Sequence, residues 1–300
     1  MPTILLIGAT GTVGRQLVSE LLPTNTKLRA LLRNPDSANL PPAIEKFRGD
    51  LTVPDSLIPA LQNTDAVFLV WTAPLATAPA VIDHIAQHTQ RLVFLSAPHQ
   101  TPHPFFQQPN ALSAMLSAIE RHIESTSLQH TFLRPGIFAA NCIDWWAPAF
   151  RNNDVIRWPL LQTPTAPIDT RDIAAVAARL LTNPQPQQTQ TPAHSQRNTA
   201  QNYVITGPES LTQLQQLQII ADTINRPLRY EDLSADQARE AQIPPFALPV
   251  LNMLLAAWTA ALNQPAYVTT TVTDLLARPA HSFRDWAQHN AAAFSPNSAA

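Results

Sequence analysis

Lysine is almost missing from this chain. Lys27 and Lys46 are the only two in 300 residues, and no basic run occurs anywhere. Charged residues make up 13% and the net charge is −2, which argues against a nucleic-acid surface, since that needs a clustered positive field. Cysteine is scarcer still: Cys142 stands alone, so no internal disulfide can form. Long apolar runs are also few. Ile243 to Leu262 carries no charge, but Pro244, Pro245 and Pro249 leave only about fourteen clean residues, too short to span a bilayer. An apolar run starts two residues after Met1 and leaves no room for a signal peptide, so the expected location is the cytoplasm. Glycine numbers 6 against 29 prolines, which predicts stiff, extended loops. Three of those glycines nevertheless fall within one short loop.

That loop is Gly8-Ala-Thr-Gly-Thr-Val-Gly14. Thr3 to Ile7 before it is an unbroken apolar run, the pattern of a strand buried on both faces of a parallel sheet. Gln16 to Leu22 after it reads as a helix stopped by Pro23. Gly8 lets the chain turn off the strand, Gly11 has no Cβ to hold a pyrophosphate away, and Gly14 lets the helix pack closely. The helix N-terminus then points free N–H groups at phosphates. This is the context in which a glycine triplet signals a dinucleotide site.

Lys27–Leu32 is the expected second strand, followed by the turn Arg33-Asn-Pro-Asp36. An acid at that point would bind the 2′-hydroxyl of NAD, whereas a cation accommodates the 2′-phosphate of NADP. The acid is missing and Arg33 stands there, which favours NADP(H), with Arg15 a second phosphate partner. A short third strand ends at Phe47-Arg-Gly-Asp50, and Pro54–Leu61 reads as a short helix. Strands at Ala66–Val70, Arg91–Ser96 and His130–Arg134 alternate with helices at Ala78–His88 and Asn110–Ser125. Six strands with helical crossovers predict an α/β fold, a doubly wound parallel Rossmann sheet. Residues 1–136 form the expected cofactor-binding core. Residues 137–300 form a smaller α/β substrate region, with 167–205 packing back on the core. Within it, Asp169 and Asp172 mark a helix start before Leu181, and the polar, Pro/Gln/Thr-rich stretch 183–202 reads as a mobile loop. A strand at Tyr203–Ile205, a helix at Thr212–Asn225 and a strand at Leu228–Glu231 follow, then helices at 235–242, 250–262 and 284–294.

The chain resembles the NmrA-like, atypical branch of the short-chain dehydrogenases and reductases. The glycine loop carries the likeness, with Leu32-Arg-Asn-Pro35, Gly49-Asp50, Leu95-Ser-Ala97, Leu133-Arg-Pro-Gly136, Asp169-Thr-Arg-Asp-Ile-Ala174, Tyr203-Val-Ile-Thr-Gly-Pro-Glu-Ser210 and Ser282-Phe-Arg-Asp-Trp-Ala287. The resemblance implies that Gly8, Thr10, Gly11, Thr12, Val13 and Gly14 hold the pyrophosphate. Arg33 and Asn34 would meet the 2′-phosphate, and Asp50 and Leu51 would flank the adenine. Trp71, Thr72, Ala73 and Ser96 would border the nicotinamide ribose, with Pro135 near the nicotinamide.

One departure matters. Ordinary members of the superfamily carry Tyr-x-x-x-Lys, the Tyr delivering a proton. The matching helix here puts Ser117 and Arg121 in those places. Serine is a far weaker acid, and Arg does not titrate in a protein. A substrate already activated toward hydride (an iminium ion, quinone or enone) needs no such acid at the accepting carbon. The resemblance then implies an NADPH-dependent reductase of an apolar, cyclic substrate. Its alternatives are an NADP-binding sensor without catalysis and a redox-neutral cyclase or isomerase.

Other candidates follow from single residues. His99, beyond the fifth strand, is a candidate proton donor. His99 and His103 lie four apart, but Pro102 and Pro104 keep them off one helical face, so no metal is expected. His122 reads as an exposed or packed helix residue, and Cys142 lacks a paired His for nucleophilic chemistry. Trp71, Phe105, Phe106, Phe138, Trp145 and Trp146 could line a pocket for a flat, apolar substrate, with Asn141 orienting it. Monomer and homodimer both stay open.

Overall fold

The apolar runs become strands. In the computed structural model, which describes residues 1–99, 101–152, 154–182, 201–243 and 245–295, β1 (Thr3–Ile7) and β4 (Ala66–Val70) lie at the middle of a sheet with almost every side chain buried. Between them come α1 (Thr12–Leu21), β2 (Lys27–Leu32), β3 (Glu45–Arg48) and α2 (Ile58–Leu61). After β4 the chain runs through α3 (Ala78–His88), β5 (Arg91–Leu95), α4 (Ala111–Glu124) and β6 (Gln129–Pro135). Next come α5 (Asn141–Asn152), β7 (Ile156–Pro159), β8 (Pro164–Thr165), α6 (Thr170–Thr182) and β9 (Gln201–Ile205). The last stretch holds β10 (Leu211–Thr212), α7 (Gln213–Thr223), β11 (Tyr230–Leu233), α8 (Ala235–Ala241), α9 (Leu248–Ala261), α10 (Thr271–Leu276), α11 (Phe283–His289) and α12 (Ala291–Phe294).

The main sheet has the order β3-β2-β1-β4-β5-β6-β9, and its first six strands pair in parallel. The strand order reverses between β1 and β4, which opens a crevice at their carboxyl ends where such sheets bind ligands. Neighbouring strands in register place Ile7, Leu31 and Leu69 side by side at that edge. The fold is the doubly wound α/β architecture, with one strand more than the six expected because β9 adds to the edge of β6.

The chain forms two compact units that interleave along the sequence. One holds residues 1–97, 111–135 and 170–204, and the other holds 98–110, 136–169 and 205–300. Residues 98–110 belong with the second unit, while α6 and β9 belong with the sheet. In the first unit α1 buries Val13, Leu17, Val18 and Leu21 and packs against α6. The second unit is organised on buried Trp146, Trp158, Trp258 and Trp286, with a two-stranded parallel β7–β11 pair and an antiparallel β8–β10 pair.

Several boundaries differ from expectation for local reasons. α1 begins at Thr12, four residues early, because Gly11 serves as its N-cap. The aromatic stretch after 138 contains a helix, α5, despite Pro148 inside it. α7 is fixed by a capping box, with Thr212 accepting from the Gln215 N–H and Gln215 answering to the Thr212 N–H. The loop expected over 183–202 lies outside the described residues except Gln201 and Asn202, which open β9. Among the described residues no helix is long and apolar enough to cross a membrane.

Candidate active site

Gly8 leaves β1 with φ +102°, a conformation that side chains resist, and a Cβ there would sit 2.9 Å from Val70 Cβ. Its carbonyl then accepts the Gly11 N–H at 3.1 Å, which closes the loop. Gly14 presses the first turn of α1 against that carbonyl: a Cβ on Gly14 would lie 2.0 Å from Gly8 O. Close packing at Gly14 is thus against the loop backbone itself. Gly11 is different, since a Cβ there would meet only Gly8 O at 3.4 Å. Its empty side faces open space ahead of the helix N-terminus, where unpaired N–H groups and the helix dipole favour an anion.

A cavity of about 310 Å³ runs along this edge, lined in part by Gly8, Thr10, Gly11, Arg33, Asp50 and Leu51. Thr72 and Ala73 close its β4 side. The structure thus brings together eight of the expected cofactor residues. Gly49, Thr52 and Val70 also line it. Thr52 was missed by sequence reasoning, although an Asp followed two residues later by Thr is a turn signal that could have found it. Its N–H and hydroxyl both donate to Asp50 Oδ1 at 2.8 Å. Those two bonds, with a smaller contribution from Arg33, hold the Asp50 carboxyl below its usual range, so it stays anionic. Arg33 is exposed at the cavity rim. Arg15 is occupied elsewhere, donating to Thr10 O at 2.7 Å.

The remaining expected residues do not line the cavity. Thr12, Val13 and Gly14 form the first turn of α1, and Asn34 is exposed in the turn after β2. Trp71 is turned into the core, with its Nε1 donating to Ala73 O at 2.6 Å. Its ring is therefore a packing element rather than a wall presented to a ligand. Ser96 and Pro135 sit at the carboxyl ends of β5 and β6, and the buried Ser96 Oγ has no hydrogen-bond partner among the described residues. On α4, Arg121 Nη1 donates to Ser117 Oγ at 3.1 Å, so the two residues in the Tyr and Lys places are tied to each other. His122 pairs with Asp83 at 3.0 Å. Behind them lies a pair that sequence reasoning missed. Arg134 grips Glu120 through two bonds of 2.9 and 2.6 Å, both side chains buried. A carboxylate on the apolar face of a helix and an arginine inside an apolar strand were the available signals.

In the second unit Trp145 lines an apolar cleft of about 440 Å³ with Ile156, Trp158, Leu233 and Ile243. Trp146 is fully buried in the core beneath it and meets no cleft. Phe138 is half-buried and bridged to Ile168, and Asn141 starts α5 with its N–H donating to Phe138 O. His99 is half-buried in this unit. Cys142 is fully buried, and burial pushes its thiol well above the ordinary range, which rules out a thiolate nucleophile.

Residues 8–184 match the model of an NAD(P)H-binding family. The chain belongs to that family, and it shares the fold of the solved transcriptional regulator NmrA, with a TM-score of 0.70 and 15% identity over 96% and 94% of the two chains. Two relatives match the chain along nearly its whole length. The (4-alkanoyl-5-oxo-2,5-dihydrofuran-3-yl)methyl phosphate reductase of Streptomyces griseus is 31% identical, over 98% of this chain and 99% of its own. The NAD(P)H azoreductase of Xenophilus azovorans is 29% identical, over 97% and 99%. The solved NADPH complex of an Escherichia coli quinone oxidoreductase shares the fold, with a TM-score of 0.77 and 19% identity over 95% and 99% of the two chains. The chain is an NAD(P)H-dependent oxidoreductase. The cavity fits its cofactor: an open approach at Gly11, a helix N-terminus behind it, and Arg33 at the rim.

Proposed function

We propose that this reductase uses NADPH to reduce an apolar, conjugated acceptor such as an enone, quinone or cyclic iminium ion. The observation that carries the reading is the Ser117–Arg121 pair. In the two places where an ordinary family member keeps an acid and its activator, α4 holds a serine and an arginine bonded to each other. Neither can protonate an alkoxide, so a simple ketone is a poor substrate and an acceptor already electron-poor at carbon is a good one. The names of the two full-length relatives point to conjugated acceptors, an alkanoyl-oxo-dihydrofuran and an azo compound, although the first also carries a methyl phosphate and so is not apolar throughout.

Gly8, Thr10 and Gly11 would hold the pyrophosphate at the α1 N-terminus, and Arg33 would meet the 2′-phosphate. Asp50 and Leu51 would flank the adenine, with Ser96 and Pro135 toward the nicotinamide. NADPH supplies the hydride when bound. The protein's own work is positioning and exclusion of water, contributions that reach several kcal/mol in well-oriented reactions. Phe138, Asn141 and Trp145 are the side chains of the second unit assigned to the substrate.

The test is titration with NADPH and NADH, followed by NADPH oxidation against enones, quinones, azo compounds and cyclic iminium ions. Turnover on one class with NADPH preferred supports the reading. Tight NADPH binding with no turnover on any class would overturn it in favour of a sensor or a redox-neutral enzyme.

A further inference from the structure

Strand β3 carries two cations that leave it on the same face. Successive side chains of a strand alternate, so Lys46 and Arg48 point one way and Glu45 and Phe47 the other. Their partners follow that division. Glu45 pairs with Lys27 at 2.9 Å and with Arg29 at 3.2 Å, and Arg29 lies over the Phe47 ring at 5.3 Å. Lys46 and Arg48 instead reach over the turn that follows β2. Lys46 Nζ donates to Ala38 O at 2.8 Å. Arg48 donates from Nη1 to Arg33 O and from Nη2 to Asp36 Oδ2, both at 3.2 Å.

Arg48 is thereby tied to the wall of the cofactor cavity twice. Arg33, whose carbonyl it bonds, lines that cavity, and so do Gly49 and Asp50, the next two residues of the chain. Electrostatics asks for more there than Arg33 can supply. The 2′-phosphate of NADP(H) carries close to two negative charges at neutral pH. Arg33 already lies within range of the Asp50 carboxylate, which it helps to keep ionised, so its field is partly cancelled. Arg48 is the guanidinium bonded next to it, and the counter-ion of Arg48 is Asp36. That pair is loose: one contact at 3.2 Å between side chains 65% and 88% exposed. Exposed pairs of this kind are weak and screened by salt, whereas an arginine–phosphate contact is charge-assisted and can be bidentate.

We propose that Arg48 is a second arginine of the 2′-phosphate site, and that Asp36 is its counter-ion in the free protein, displaced when NADP(H) binds. The proposal rests on the reading above that Arg33 meets the 2′-phosphate. Arg48 Nη1 keeps its bond to Arg33 O, so the turn stays fixed while Nη2 changes its acceptor from carboxylate to phosphate. Asp36 is then a competitor built into the turn. The preference for NADPH depends on the difference between two anions on one guanidinium, and not on Arg33 alone. NADH offers only a 2′-hydroxyl and leaves the Arg48–Asp36 pair closed.

The test compares Arg48→Ala, Asp36→Asn and the double variant, each in the full chain. NADPH and NADH are titrated by fluorescence, and 2′,5′-ADP against 5′-AMP isolates the phosphate from the nicotinamide. Both side chains are largely exposed, so all three variants should melt within about 2 °C of the wild type. Arg48→Ala should weaken NADPH and 2′,5′-ADP about tenfold and NADH by less than about twofold. Asp36→Asn should tighten NADPH about threefold, because the phosphate no longer displaces a carboxylate. In the double variant that gain should vanish, since no pair remains to be opened. A gain that survives the loss of Arg48 would mean that Asp36 acts on the phosphate through space, and would overturn the exchange. Equal losses for NADPH and NADH in Arg48→Ala would make Arg48 a brace of the turn, and no loss for either would equally overturn the proposal. Arg33→Ala keeps the two readings apart. If NADPH keeps its advantage in that variant, or has none in the wild type, the 2′-phosphate is not at this turn and both readings fail. If Arg33→Ala removes the advantage and Arg48→Ala does not, only the role of Arg48 fails.

Discussion

Gly11 and Gly14 look alike in sequence, yet alanine should act oppositely at the two. At Gly14 the added Cβ would lie 2.0 Å from Gly8 O, and real contacts begin near 3.0 Å. Helix α1 and the loop must separate by about 1 Å, and the same carbonyl holds the Gly11 N–H. Overpacking of this kind costs about 1–3 kcal/mol, and a strained loop bond adds about 1. The helix propensity of alanine returns only about 1 kcal/mol. Gly14→Ala should therefore lose about 1–3 kcal/mol, a fall of several degrees in melting temperature. At Gly11 the backbone has φ −77° and the Cβ meets one atom at 3.4 Å, so the fold has nothing to object to. Stability should hold or rise by about 0.5 kcal/mol through the unfolded chain. The new methyl instead occupies the approach to the helix N–H groups, and losing one or two charge-assisted bonds weakens NADPH by about 10- to 100-fold. Thermal melts and fluorescence titrations of both variants check this. A Gly11→Ala protein that melts early but binds NADPH normally would refute the geometry.

Arg33→Ala should weaken NADPH by about tenfold and leave NADH nearly unchanged, because only the 2′-phosphate meets the guanidinium. Equal losses for both cofactors in parallel titrations would place the 2′-phosphate elsewhere. Glu120→Ala strands the buried Arg134 and should cost about 3–5 kcal/mol, whereas Glu120→Leu with Arg134→Met should recover most of that in denaturant melts. Thr52→Val should raise the Asp50 pKa toward the free value by removing one hydroxyl bond, followed by carboxyl NMR titration. The native Asp50 pKa is lowered, so its stabilising contribution is present above the unfolded value near pH 4 and fades as pH falls through the native one. The variant should lose that contribution at higher pH than the wild type.

The first half of the chain was legible because its signals are local. Five-residue apolar runs marked the central strands, and Gly8, Gly11 and Gly14 marked the tight turn between the first strand and helix. The absent acid and present Arg33 after β2 were equally visible, and the structure puts Arg33 on the wall of the cavity. The second half hid its logic in long-range contacts. Nothing near the stretch between α9 and α10 reveals that Ser210, Thr206 and His103, roughly 60 to 160 residues away by their bond spacing, bond its backbone at Ala266, Thr269 and Pro265. The tryptophans were visible as a group, but only burial separates Trp145 on a cleft wall from Trp146 in the core. Trp71 shows the same limit, since a strand-end aromatic can face a ligand or the core, and only the structure shows its Nε1 bonded to Ala73 O.

The interleaved chain path limits how such a protein can change. A fragment ending at residue 136 would lack α6 and β9, leaving the β6 edge open and the apolar stripe of α1 bare. Such an edge recruits other strands, and the fragment should aggregate rather than fold. Neither unit can be traded whole between relatives by a single crossover of their genes, because any one junction divides at least one unit between two parents. Diversification of this scaffold must proceed by substitution and by insertion within loops, one position at a time, with both units inherited together.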